Sequence, residues 1–76
     1  MIGMLWFDPD PKKTLETKIA EAAAAYKAKF GRDPNACMVS QAAEGSAPLG
    51  IALERSKTIQ PNHLLIGEKD GIQTSL

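Results

Sequence analysis

Cys37 and His63 are the only thiol and the only imidazole in the chain, so the first chemistry to weigh is a Cys–His dyad, with the thiolate attacking and the ring acting as base. Such a pair also needs an orienting group and an oxyanion site, and no motif supplies either. Cys37 lies in a short apolar run, where cysteine ordinarily serves as a small core hydrophobe, and His63 follows the turn pair Pro61-Asn62. A structural role is therefore expected for both. Zinc is disfavoured, because these two residues are far apart and no further ligands stand at recognisable spacing. Asp8 and Asp10 flank Pro9 and offer carboxylate oxygens for a hard cation, with Asp33 and Glu44 as the only conceivable recruits. Helix capping by Asp10 and a turn role for Asp8 account for the same residues without a metal. Gly45-Ser46 lacks the flanking pattern of a nucleophile elbow, and no glycine-rich loop precedes the helix to cradle a phosphate. No cofactor and no metal are expected.

Lys12, Lys13, Lys18, Lys27, Lys29 and Arg32 lie on or beside one segment against Glu16 and Glu21, which makes its solvent face moderately basic. Lys27, Lys29 and Arg32 are the candidates there for tracking a nucleic-acid backbone. The competing reading is an ordinary solvated helix whose C-terminal lysines complement the macrodipole. No basic run is interleaved with aromatics for base stacking. Lys plus Arg equals Asp plus Glu at nine each, so no net field gathers a polyanion, and nucleic acid is a disfavoured partner.

The segment that carries these lysines, Asp10 to Gly31, reads as one long amphipathic helix. Asp10 is the expected N-cap and Pro11 suits the first helical position, where no N–H is needed. Leu15, Ile19, Ala22, Ala23, Tyr26 and Phe30 recur at three- and four-residue steps along one stripe, and Gly31 ends it. Met1 to Phe7 is continuously apolar and bounded by the turn-rich Asp8 to Pro11, which predicts a strand buried on both faces. Ala36 to Ser40 predicts a second strand after the Gly31 to Asn35 loop. A strand, a helix and a strand in that order favour a parallel pair joined by a right-handed crossover. Gln41 to Pro48 reads as a loop, Leu49 to Arg55 alternates as a strand, and His63 to Gly67 follows as another. Asp70-Gly71 is a hairpin-type turn, after which Ile72 to Leu76 returns as a fifth strand or, the favoured reading, frays with residues 69–76 as a tail.

The expected fold is a small two-layer α/β or α+β domain, β-α-β-β-β, with one long helix packed on a mixed sheet and residues 1–76 forming a single domain. At 76 residues a lone hydrophobic core only just outweighs the entropy lost on folding, and much of the 43% hydrophobic content is alanine. One cysteine rules out an internal disulfide, which leaves oligomerisation as the common route to extra stability. The apolar N-terminal run lacks a positive n-region and is too short for a signal sequence, and no segment approaches the roughly 20 apolar residues of a membrane span. A cytoplasmic location and no membrane partner are the expectations.

The predicted strands have more apolar surface than one helix covers. A sheet with one wet face should alternate apolar with polar residues, and Met1–Phe7, Ala36–Ser40 and His63–Gly67 do not. Met4, Trp6, Met38 and Leu65 are expected on the uncovered face, as the interface of an isologous homodimer. The competing possibility is that the 41–48 loop or the C-terminal tail folds across it. The function expected from these residues is a small cytoplasmic, non-enzymatic interaction module that self-associates, with an unknown protein partner also admitted. The alternatives are a nucleic-acid accessory protein using the basic helix face, or a subunit whose ligand or catalytic site forms only at a dimer interface, with Cys37 or His63 taking part.

Overall fold

Continuous apolar runs and one 3.6-residue stripe sort themselves into two layers. The computed structural model describes residues 2–69, with β1 at Ile2–Phe7, α1 at Leu15–Phe30, β2 at Ala36–Ser40, β3 at Ala52–Ser56 and β4 at His63–Glu68. The strands form one four-stranded mixed sheet in the order β1-β4-β2-β3, and α1 packs on one side of it. The chain is thus a small α+β domain, one helix on a mixed sheet. Ile72 to Leu76, the segment expected as a fifth strand or a frayed tail, lies outside the described residues. Lys69 is held, its N–H donating to Asn35 Oδ1 at 2.7 Å.

β1 and β2 run in the same direction, since both are antiparallel to β4, but they are not neighbours. β4 lies between them, which corrects the expected adjacent parallel pair. The adjacent parallel pair is β2 with β3, joined by a connection without a helix. β4 carries large apolar residues on both faces, Leu64 and Ile66 against Leu65, and the middle of the sheet gives those faces the most cover.

The helix starts later than its first capping signal. Thr14 is the N-cap, its Oγ1 accepting the Thr17 N–H at 3.1 Å, whereas Asp10 caps only its own turn by accepting the Lys12 N–H at 2.9 Å. The segment before Thr14 is held to the sheet instead: Asp8 N–H donates to Asn62 O at 2.9 Å, and the buried Asp8 carboxylate accepts from Asp10 N and Lys13 Nζ. At the far end Gly31, at φ 77°, takes the left-handed C-cap conformation and donates its N–H to Lys27 O. Of the expected stripe, Ile19, Ala22 and Tyr26 are buried and Leu15 and Ala23 are partly so. Phe30 is 47% exposed and stacks on Tyr26 with ring centroids 4.7 Å apart.

The core joins Ile19, Ala22 and Tyr26 to Cys37, Val39, Leu64 and Ile66. The 41–48 loop lies on this same side, with Ala43 and Ala47 against the core, and not across the open face. Gly45, at φ 122°, brings the loop so near α1 that an added Cβ would sit 2.9 Å from Leu15 Cβ. Arg55 pins it, donating from Nε to Ala43 O and from Nη2 to Gly45 O at 3.0 and 2.9 Å. β3 is shorter than its alternation suggests, because Pro48 to Ile51 closes a turn and leaves Leu49 fully exposed. Asn62, at φ 66°, follows Pro61 in the turn closed by His63 N–H and Gln60 O, the pattern of a type II turn.

Candidate functional site

The side chains on the two faces of the sheet follow from the register. Met4 pairs with Ile66 and Trp6 with Leu64, and Ile66 and Leu64 pair in turn with Cys37 and Val39. These residues share the face that α1 covers. Met4 and Trp6 accordingly pack against the core, which corrects their expected place on the uncovered face. Every residue of β1 is apolar or glycine, so its alternation could not say which set points inward. Among the described residues Trp6 Nε1 is buried with no hydrogen-bond partner, a burden of about 1–3 kcal/mol.

The other two candidates, Met38 and Leu65, are paired with each other on the open face, and Leu65 is paired with Leu5 on its other side. Leu5 is 61% and Phe7 57% exposed. Phe7 pairs with His63, and their rings lie 4.7 Å apart. The open face thus presents Leu5, Phe7, Leu65 and Met38 together, with His63 at one end and the Glu54–Lys69 ion pair toward β3. The sequence does not single out Leu5 and Phe7, because both alternate sets of β1 are apolar or glycine and nothing local marks which one points inward.

Cys37 and His63 do not form a dyad. Cys37 is fully buried on the covered face opposite Ile66, while His63 sits at the opposite parity at the start of β4, with Nδ1 3.0 Å from Pro61 O. Burial pushes the Cys37 thiol up to about 12, the reverse of an activated nucleophile. Among the described residues no group of three or more His, Cys, Asp or Glu side chains converges to hold a metal ion. Asp8 and Asp10 are occupied by turn N–H groups, and Asp33 lies against Lys27.

The basic helix end is largely neutralised in place. Arg32 Nη2 lies 2.7 Å from Glu68 Oε2, Lys27 Nζ lies 3.6 Å from Asp33, and Lys29 Nζ stands 5.4 Å over the Phe30 ring. A cleft of about 230 Å³ opens between the start of α1 and the ends of β2 and β4, lined by Lys13, Lys18, Ser40, Glu44, Asn62 and His63. It is smaller than the roughly 300–1,000 Å³ of typical small-molecule sites, and Lys13 is already engaged by Asp8 and Glu21.

Two ion clusters tie helix to sheet, and together with the buried Cys37 thiol they contribute to the pH dependence of stability. Tyr26 Oη donates to Glu68 Oε2 at 2.8 Å and Arg32 joins it, so the Glu68 carboxyl is held below its usual range, first by the tyrosine and then by the arginine. Asp8 is lowered chiefly by the Asp10 N–H, then by Lys13. A carboxyl lowered in the folded state contributes stability above its unfolded value and loses it as pH falls through the folded one. Tyr26 and Lys13 are raised, by Glu68 and by Glu21 respectively, and Cys37 is raised by burial, so their contributions disappear as pH climbs. The urea midpoint is therefore expected to be flat near neutrality, to fall below about pH 4.5, and to fall again above about pH 9 as the unfolded thiol ionises. Trp6 fluorescence follows the transition. A midpoint that rises on acidification, or stays constant to pH 11, contradicts this account.

Among the described residues no helix is long and apolar enough to cross a membrane. No family model, no curated protein and no solved structure matches this chain.

Proposed function

We propose that the chain is a small cytoplasmic, non-enzymatic interaction module that self-associates through the sheet face α1 leaves open. The observation that carries this reading is the apolar group Leu5, Phe7, Leu65 and Met38, with Leu5 and Phe7 both more than half exposed. Contiguous exposed apolar patches mark contact surfaces, and in so small a domain a second copy adds buried area that the single core lacks. The separation of Cys37 from His63 favours binding over catalysis. The carriers of the contact are Leu5 and Phe7 alongside Met38 and Leu65, with Met4 and Trp6 supporting the sheet from beneath.

Static light scattering across micromolar to millimolar concentration tests it. The wild type is expected to be dimeric at the upper end. Leu5→Glu/Phe7→Glu is expected to weaken association at least tenfold with unchanged circular dichroism, since burial of each Leu or Phe is worth about 1.5–3 kcal/mol. A wild type that stays monomeric throughout, or a double variant that associates equally well, refutes the reading.

A further inference from the structure

Among the described residues the two edges of the sheet are not alike. β3, at one edge, presents Glu54 and Arg55, charges of the kind that discourage strand addition, and Arg55 is committed to the loop carbonyls. β1, at the other, has the sequence IGMLWF, with no charge and no proline. Asp8, just beyond it, is met by Lys13 at 3.2 Å, and the whole chain has a formal net charge of zero, so little opposes the approach of a second copy.

The hydrogen-bond parity identifies which groups of β1 face outward. Asp8 N–H donates to Asn62 O on the β4 side, and Gly67 O accepts from Asn35 N on the β2 side. Strand residues alternate in the direction of their backbone groups, so Met4 and Trp6 bond toward β4, while the N–H and C=O of Gly3, Leu5 and Phe7 point away from the sheet. These are the residues whose side chains lie on the open face. An antiparallel strand pair about a two-fold axis at Leu5 places Leu5 opposite its copy and Phe7 opposite Gly3. The sizes are then complementary, since the aromatic ring covers a glycine, a recognised cross-strand partnership. Leu65 adds a wall to that space, its Cδ1 falling 3.3 Å from where a Gly3 Cβ would be.

We propose that two copies of this chain join edge to edge through β1, antiparallel and centred on Leu5, to make one continuous eight-stranded sheet. This rests on the self-association reading above but replaces its face-to-face contact with an edge contact: the two open faces lie side by side on one side of the joined sheet, and neither covers the other. The isologous pairing satisfies the outward backbone groups of both strands and extends the apolar strip Phe7, Leu5 and Leu65 across the two-fold axis.

Oxidative cross-linking of single-cysteine substitutions separates the geometries, with the buried Cys37 of the wild type as background and light scattering run in parallel. Directly opposed residues of an antiparallel pair lie about 4.5–5.5 Å apart at Cα, within disulfide reach, so Leu5→Cys is expected to give covalent dimer at least tenfold faster than Leu65→Cys. In the edge-paired dimer the two Leu65 positions stand three strand spacings apart, roughly 14 Å, which no disulfide spans. Rapid bridging of Leu65→Cys, or no preference for Leu5→Cys in a protein that scatters as a dimer, overturns the edge geometry and leaves self-association standing. A monomer by scattering that bridges at neither position overturns both.

Discussion

Ile66→Ala is expected to leave the chain largely unfolded at 25 °C. Ile66 is fully buried at the middle of the sheet, flanked by Met4 on β1 and Cys37 on β2 and lying in one cluster with Ile19 and Tyr26 of α1. Truncating such a residue removes its transfer free energy and leaves a cavity that backbone on both sides prevents from closing, at a cost of about 2–5 kcal/mol. A core of this size rarely supplies more than about 3–5 kcal/mol in all, so the two figures are comparable. Ile66→Val, which loses one methylene, is expected to cost about 0.5–1.5 kcal/mol and remain folded. Urea unfolding followed by circular dichroism reads both. A loss below about 1 kcal/mol for the alanine variant means that the cluster around β4 is not what holds the layers together.

Gly3→Val is expected to destabilise the domain although it places a strand-favouring residue in a strand. A Cβ at position 3 would lie 2.7 Å from the backbone oxygen of Ile66 and 3.3 Å from Leu65 Cδ1. The first obstacle is main chain of the central strand, which cannot rotate aside, so β1 has to lift from β4. Forcing bulk into so close a fit costs about 1–3 kcal/mol, and in a domain of this length each kcal/mol lowers Tm by about 4–8 °C. Thermal melts of Gly3→Ala and Gly3→Val should fall in that order below the wild type. An unchanged or raised Tm shows that β1 and β4 separate at little cost. Because Gly3 is demanded by β4 within one chain, its substitution cannot serve to test dimerisation, whereas Leu5 and Phe7 are exposed and can.

The wrong N-cap and the inverted β1 share a physical origin. Asp10 and Thr14 are both competent caps, and local propensity favours Asp10. The choice fell to Thr14 once Asp8 was bonded to Asn62, a residue from the far end of the chain. In β1 the alternating rule had nothing to act on, since both sets of side chains are apolar, and a strand's inward face is then decided by its partner's register. β4 meets the same strand with Leu64 and Ile66 opposite Trp6 and Met4, and that pairing turned Leu5 and Phe7 outward.

Within the chain alone, hydrophobic period and turn chemistry determined the body of α1, the apolar runs of β1, β2 and β4, the Gly31 stop and the Pro61-Asn62 turn, because each depends on neighbours within a few residues. Those elements also foretold a sheet with more apolar surface than one helix could cover. Tertiary structure alone decided that β4 enters between β1 and β2, that the 41–48 loop joins α1 on the covered face, and that Leu5 and Phe7 are the residues left in the open. Strand order and facing depend on hydrogen bonds between segments distant in sequence, and a strand that is apolar throughout presents the same local pattern whichever way it turns.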